Sequence, residues 1–219
     1  MANLLFMHGF ATDPLIWGLQ IKEFSNKHKI YTDTNQVEEL NQLIVIGWSM
    51  GALKALKLLR VQKDKIKALV LVSAFPKFLK SEDYPYGLHP SHLKNLERKL
   101  REDFELGLRF FYSLLFNGKK VHPLIASLPT LQKEKIFSDL RRLEQEDERE
   151  FLSEIRIPTL IVQGEKDQIV LSETSDYLHE KIEKSERQIF PGVGHVPFLE
   201  VPDKFNASIN DFIAKNEWA

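Results

Sequence analysis

The stretch VIGWSMGALKALKLL, residues 45–59, joins an apolar run to a helical pattern through two glycines that bracket Trp48, Ser49 and Met50. The run QLIVIGWS (42–49) reads as a strand buried on both faces of a parallel sheet. Leucines and alanines then recur at helical spacing. A second apolar run, KALVLVSAF (67–75), completes a strand–helix–strand unit of about thirty residues. At the first junction GWSMG matches Gly-x-Ser-x-Gly. Chance places that pattern in on the order of one chain in ten to twenty of this length, so its weight comes from its context. It follows a buried strand and opens a helix, as a nucleophile elbow requires. Such a bend forces the serine into strained dihedrals, and small neighbours avoid a clash. The strain holds Oγ out at the carboxyl edge of the sheet. The helix opening at Met50 points its free N–H groups and positive dipole end at any oxyanion formed there. The plainer alternative is a serine that caps a helix.

The same alternation extends outward. NLLFMHG (3–9), KIYTDT (29–34), PTLIVQG (158–164) and ERQIF (186–190) read as further strands, with helices over SETSDYLHEKI and near 203–215. The stretch 77–155 differs: it holds helical patterns, such as SHLKNLERKLREDFELGLRFFYSLLF, punctuated by Pro85, Pro90, Pro123 and Pro129. The expected architecture is an α/β core over 1–76 and 156–219 with a helical insertion over 77–155 placed as a lid. Padding of the sheet edge by the same helices is the alternative.

A serine hydroxyl needs a base, and a histidine base needs an orienting acid. His195 lies in FPGVGHVPFLEVP, a loop between a strand and the last helix, with Gly192 and Gly194 leaving room around it. Asp167, in LIVQGEKDQIV, follows a strand. The order Ser49, Asp167, His195 is the order of an α/β-hydrolase triad. Glu165 is the alternative acid, ranked behind Asp167 because it sits nearer the strand end. An oxyanion hole needs two N–H donors. Met50, after the nucleophile, supplies one, and Phe10, in the loop HGFATDPLIW, the other. His8 braces that loop in this reading.

Composition narrows the rest. The chain has 219 residues, 43% hydrophobic and 28% charged, with a formal net charge of −1. No global field favours nucleic acid or an anionic membrane. Cysteine is absent, which excludes disulfides, thiolate metal sites and a cysteine nucleophile. No metal motif such as HExxH occurs, so neither metal nor cofactor is expected. The start MANLLFMHGF lacks a basic n-region and a long apolar run, so a cytoplasmic location is expected.

FMHGFATDPLIW, VIGWSMGALKAL, PTLIVQGEKDQIV and VGHVPFLEVPDKF resemble the α/β-hydrolase superfamily along almost the whole chain. Within it, the HGF start, GWSMG with tryptophan before the serine, and GHVPFLEVPDKF are similar to the pimeloyl-acyl-carrier-protein methyl ester esterases of biotin synthesis. The resemblance implies a serine carboxylesterase acting on an acyl methyl ester, with Ser49, Asp167 and His195 as the triad, Phe10 and Met50 as oxyanion donors, and Trp48 as a pocket wall. It implies a lid that receives an acyl chain and an acidic carrier protein. FELGLRFFYSLLF, with Phe104, Phe110 and Phe111, would line an acyl tunnel, and Arg98, Arg101, Arg141 and Arg142 would meet the carrier. The bland alternative is lid core and solvated helix charges. Two departures are expected to shorten the sheet to about six strands: the chain opens at the HG strand, and 30–43 is short and lacks the family's Gly-x-Gly-x-Ser turn. An esterase for small free esters, a C–C bond hydrolase or lyase on the same triad, and a non-catalytic ligand-binding module complete the range of readings.

Overall fold

Alternation along each strand sets the layers. The computed structural model describes residues 1–116, 120–126 and 131–216. Among these residues, β1 (Asn3–Met7), β2 (Lys29–Tyr31), β3 (Leu43–Trp48), β4 (Ile66–Val72), β5 (Thr159–Gly164) and β6 (Ser185–Phe190) form one sheet of order β2-β1-β3-β4-β5-β6. Every pairing is parallel. Leu4, Phe6, Ile44, Ile46, Val70 and Val72 enter one core, while Leu5, Leu43, Val45, Leu69 and Leu71 enter the other. Successive side chains point to opposite faces, so burying both faces demands the continuous apolar runs seen in the sequence.

The helices divide between these faces and the carboxyl edge. After β1 comes α1 (Gly18–Phe24), whose two buried residues, Gln20 and Phe24, are too few for a periodic pattern. α2 (Met50–Val61) links β3 to β4 and buries Ala52, Ala55, Leu56 and Leu59 in the second core. Between β4 and β5 lie α3 (Pro90–Glu102), α4 (Phe104–Leu115), α5 (Pro123–Ala126) and α6 (Lys133–Gln145). The helical pattern over 91–116 is two helices, not one. Asp103 leaves the helical region (φ −149, ψ 110) and caps α4 by accepting from the Leu106 N–H at 3.0 Å. After α6, Phe151, Leu152 and Ile155 pack into the second core, so the end of the inserted stretch belongs with the sheet layers. α7 (Ser172–Lys181) covers that same core through Leu178. α8 (Pro197–Glu200) and α9 (Pro202–Lys215) close the first core, where Trp17 stacks on Phe198 at 4.2 Å and near Phe205 at 6.4 Å.

Two features of this topology place the site. The chain leaves β1 for β2 on one side and returns to β3 on the other, so the strand order reverses between β1 and β3. Ligands in open α/β sheets bind at that switch point, outside the carboxyl ends. The return from β2 to β3 carries no α-helix, only a 3-10 turn over Thr34–Val37 with Val37 fully buried. The short 30–43 segment is thus a trimmed crossover on the side away from β4 to β6. Among the described residues, no helix is long and apolar enough to cross a membrane.

Candidate active site

Ser49 stands between β3 and α2 with φ 55 and ψ −121, in the left-handed half of dihedral space that strains a non-glycine residue. Its side chain makes no hydrogen bond to the first turn of α2, so it does not cap the helix. The flanking glycines are demanded by contact. A Cβ on Gly47 would lie 2.6 Å from the Gly51 carbonyl oxygen, and one on Gly51 would lie 2.1 Å from the Met7 carbonyl oxygen. The first turn of α2 therefore rests directly on the ends of β1 and β3. A Cβ on Gly9 would meet the Trp48 ring at 2.9 Å and Ser49 Cβ at 3.3 Å, which sets the loop after β1 against the serine.

Asp167 and His195 meet in the interior. Asp167 Oδ2 lies 2.7 Å from His195 Nδ1, with both side chains essentially inaccessible. The carboxylate also accepts from the Ile169 and Val170 N–H groups at 2.9 Å and from Gln163 Nε2 at 3.1 Å. These donors stabilise its charge, and a charged carboxylate beside Nδ1 favours the tautomer with the proton there. His195 Nε2 is then the basic nitrogen; it is buried and has no hydrogen-bond partner among the described residues. Glu165 points elsewhere: its Oε2 accepts from the Gly192 N–H at 2.9 Å and braces the loop that carries His195.

The histidine is held through its backbone as well. Its carbonyl accepts from the Trp48 indole N–H at 2.8 Å and from Ser73 Oγ at 3.1 Å, and its N–H donates to the Leu115 carbonyl at 3.1 Å. Trp48, expected as a pocket wall, is 1% exposed and lies 5.5 Å, ring to ring, from the imidazole. Ser73, at φ 44 just after β4, and Gln163 were not singled out in the sequence. A serine or glutamine at a strand end is too common to signal itself. Phe10 and Met50 are buried, and among the described residues neither backbone N–H has an acceptor.

The remaining residues scatter. Phe111 stands edge-on to Phe10 at 5.1 Å, while Phe110 and Phe104 lie under the ammonium groups of Lys99 and Lys133. Arg98 pairs with Glu102, and Arg101 with Glu97, along α3. Arg141 lines a cleft between α3 and α6 with Lys94 and Glu97. Arg142 turns away from it, pairing with Glu146 and lining a cavity with Lys54 and Lys57. His8 Nδ1 lies 3.0 Å from the Gly9 carbonyl oxygen, and burial, then the Lys54 charge, pushes its pKa down to about 4. His8 is therefore neutral near pH 7. Among the described residues, no group of three or more His, Asp or Glu gathers closely enough to hold a metal ion.

Residues 39–202 match the alpha/beta hydrolase fold family. The pimeloyl-[acyl-carrier protein] methyl ester esterase of Nitrosospira multiformis is 31% identical over 246 aligned residues, covering 96% of this chain and 94% of that protein. Its counterpart in Wigglesworthia glossinidia brevipalpis is 30% identical, covering 97% and 94%. Among solved structures, an esterase from Exiguobacterium antarcticum superposes with a TM-score of 0.88 at 22% identity, over 98% of this chain and 92% of that one.

Proposed function

The chain belongs to the α/β-hydrolase fold family and, within it, to the pimeloyl-[acyl-carrier protein] methyl ester esterases, and from this premise we propose how it works as a carboxylic ester hydrolase. The substrate is an acyl methyl ester, the pimeloyl ester borne on an acyl-carrier protein, and the setting is biotin synthesis in the cytoplasm. Ser49 Oγ attacks the ester carbonyl carbon while His195 Nε2 takes its proton. Asp167 holds the imidazole and stabilises its positive charge. The Phe10 and Met50 N–H groups receive the oxyanion, the tetrahedral intermediate collapses, and His195 returns the proton to the departing methanol. Water deprotonated by the same nitrogen then clears the acyl-enzyme. The helices of 77–155 act as a lid over the acyl chain, with Phe111 edge-on to Phe10 of the oxyanion loop.

One observation carries the reading: a buried Asp167–His195 pair leaves Nε2 unpartnered, and the histidine's carbonyl is held by the indole of Trp48, the residue directly before the strained Ser49. Ser49→Ala should lower hydrolysis of a nitrophenyl ester by on the order of a thousandfold or more, since triad members act as a unit. The wild type should prefer the carrier-borne methyl ester over the free methyl ester in kcat/KM. Equal values would favour a second reading, an esterase for small free esters. The intrahelical pairing of Arg98 and Arg101 supports that alternative.

A further inference from the structure

Helix α4 touches both loops that carry the chemistry. Tyr112 Oη donates to the Ala11 carbonyl at 2.7 Å, Phe111 packs edge-on against Phe10, and the Leu115 carbonyl accepts the His195 N–H. These three contacts come from Phe111, Tyr112 and Leu115, all within residues 111–115.

Ala11 is the informative partner. It sits at φ 52, a conformation strained for a non-glycine residue that persists only where its surroundings hold it. It directly follows Phe10. On the other side of Phe10, the Gly9 carbonyl is gripped by Thr12 Oγ1 at 3.0 Å and lies 3.0 Å from His8 Nδ1. Carbonyl and N–H of one trans peptide point in opposite directions, so gripping the Gly9 oxygen sets the direction of the Phe10 N–H. Thr12, which makes that grip, directly follows Ala11, so the grip depends on the strained Ala11 conformation whose carbonyl the inserted helix holds.

We propose that Tyr112 is a positioning residue that holds Ala11 in its left-handed conformation, so that the Phe10 N–H is correctly aimed only while α4 is seated on the core. The inference rests on the oxyanion assignment above and deepens it, because it makes the seating of the insertion a condition for turnover. Burial, with Glu105 and Asp13 adding to it, raises the Tyr112 hydroxyl to about 12, so it stays a donor throughout any ordinary assay range.

Tyr112→Phe deletes the one hydroxyl and keeps the ring. On a small nitrophenyl ester its kcat should fall by roughly tenfold to a hundredfold, less than the loss of a whole oxyanion donor, with KM held within about twofold. Affinity for a boronic acid that forms a tetrahedral adduct on the serine should fall in parallel. Glycine takes positive φ without penalty, so adding Ala11→Gly to Tyr112→Phe should recover most of the lost kcat. Unchanged kcat, a loss confined to KM, or a loss that Ala11→Gly leaves in place would each overturn the coupling. If instead wild-type esterase activity were missing or survived Ser49→Ala, the catalytic reading itself would fail, which is a different outcome.

Discussion

Asp167 and Glu165 differ by two positions, yet one carries four hydrogen bonds around the imidazole and the other braces a loop. Asp167→Asn should lower kcat by on the order of ten-thousandfold, because an amide there favours the wrong imidazole tautomer. Glu165→Gln should keep nearly full kcat; the reverse pattern would move the acid to Glu165. His8 makes a separate test through pH. Its ordinary pKa of 6.5 drops to about 4 in the fold, chiefly through burial and then through Lys54. Between those values the unfolded chain binds a proton that the folded chain refuses. Stability from this group is therefore full above pH 6.5, is lost as pH falls toward 4, and changes no further below. The loss is at most about 3 kcal/mol. The urea midpoint of the wild type should fall more steeply from pH 7 to 4.5 than that of His8→Asn; parallel curves would show that His8 titrates normally.

At the scale of elements, close approach decides more than propensity. α3 and α4 cross at Gly107, where a Cβ would sit 2.8 Å from the Leu100 backbone. Gly107→Ala would gain about 1 kcal/mol of helix propensity but force the two helices apart, at a cost of roughly 1–3 kcal/mol. The clash should win, giving a lower melting temperature. A higher one would mean that α3 yields freely. The break between these helices at Asp103 escapes a reading of periodicity, since the apolar spacing runs on through it. The capping carboxylate is visible in REDFELG only once the break is known. The same limit applies to α1, where packing of Phe24 beside Phe6, which itself meets Trp17, supports a helix too short to announce itself.

For the whole molecule, the basic residues of the insertion provide the test of the carrier-borne reading. Arg98 and Arg101 on α3 lie with Lys94 beside the cleft that Arg141 lines, whereas Arg142 faces the α2 side. An acidic carrier could engage the first group together. Such rim charges act mainly on encounter rate and are screened over about 8 Å at physiological salt. Reversing Arg98, Arg101 and Arg141 together should lower kcat/KM for the carrier-borne ester, most at low salt, and leave nitrophenyl ester hydrolysis unchanged. Equal loss on both substrates would indicate a damaged lid, and no loss on either would leave these as solvated charges with ordinary helix partners.

The strands, the elbow and the chain order of the site residues were written locally. Burial on both faces imposes unbroken apolar runs, and the tight approach of α2 to β1 and β3 imposes glycine at 47 and 51. Each of these demands acts over a few neighbouring positions, so a pattern in one sequence reveals it. The tertiary structure alone decided that Trp48 grips the histidine's carbonyl and that Tyr112 reaches Ala11 across 101 positions. Gly164 shows the reason: a Cβ there would lie 2.0 Å from the Gly194 carbonyl oxygen, so the β5 and β6 loops interlock with no room to spare. Contacts of this kind are set by segments far apart in the chain, and no local spacing records them.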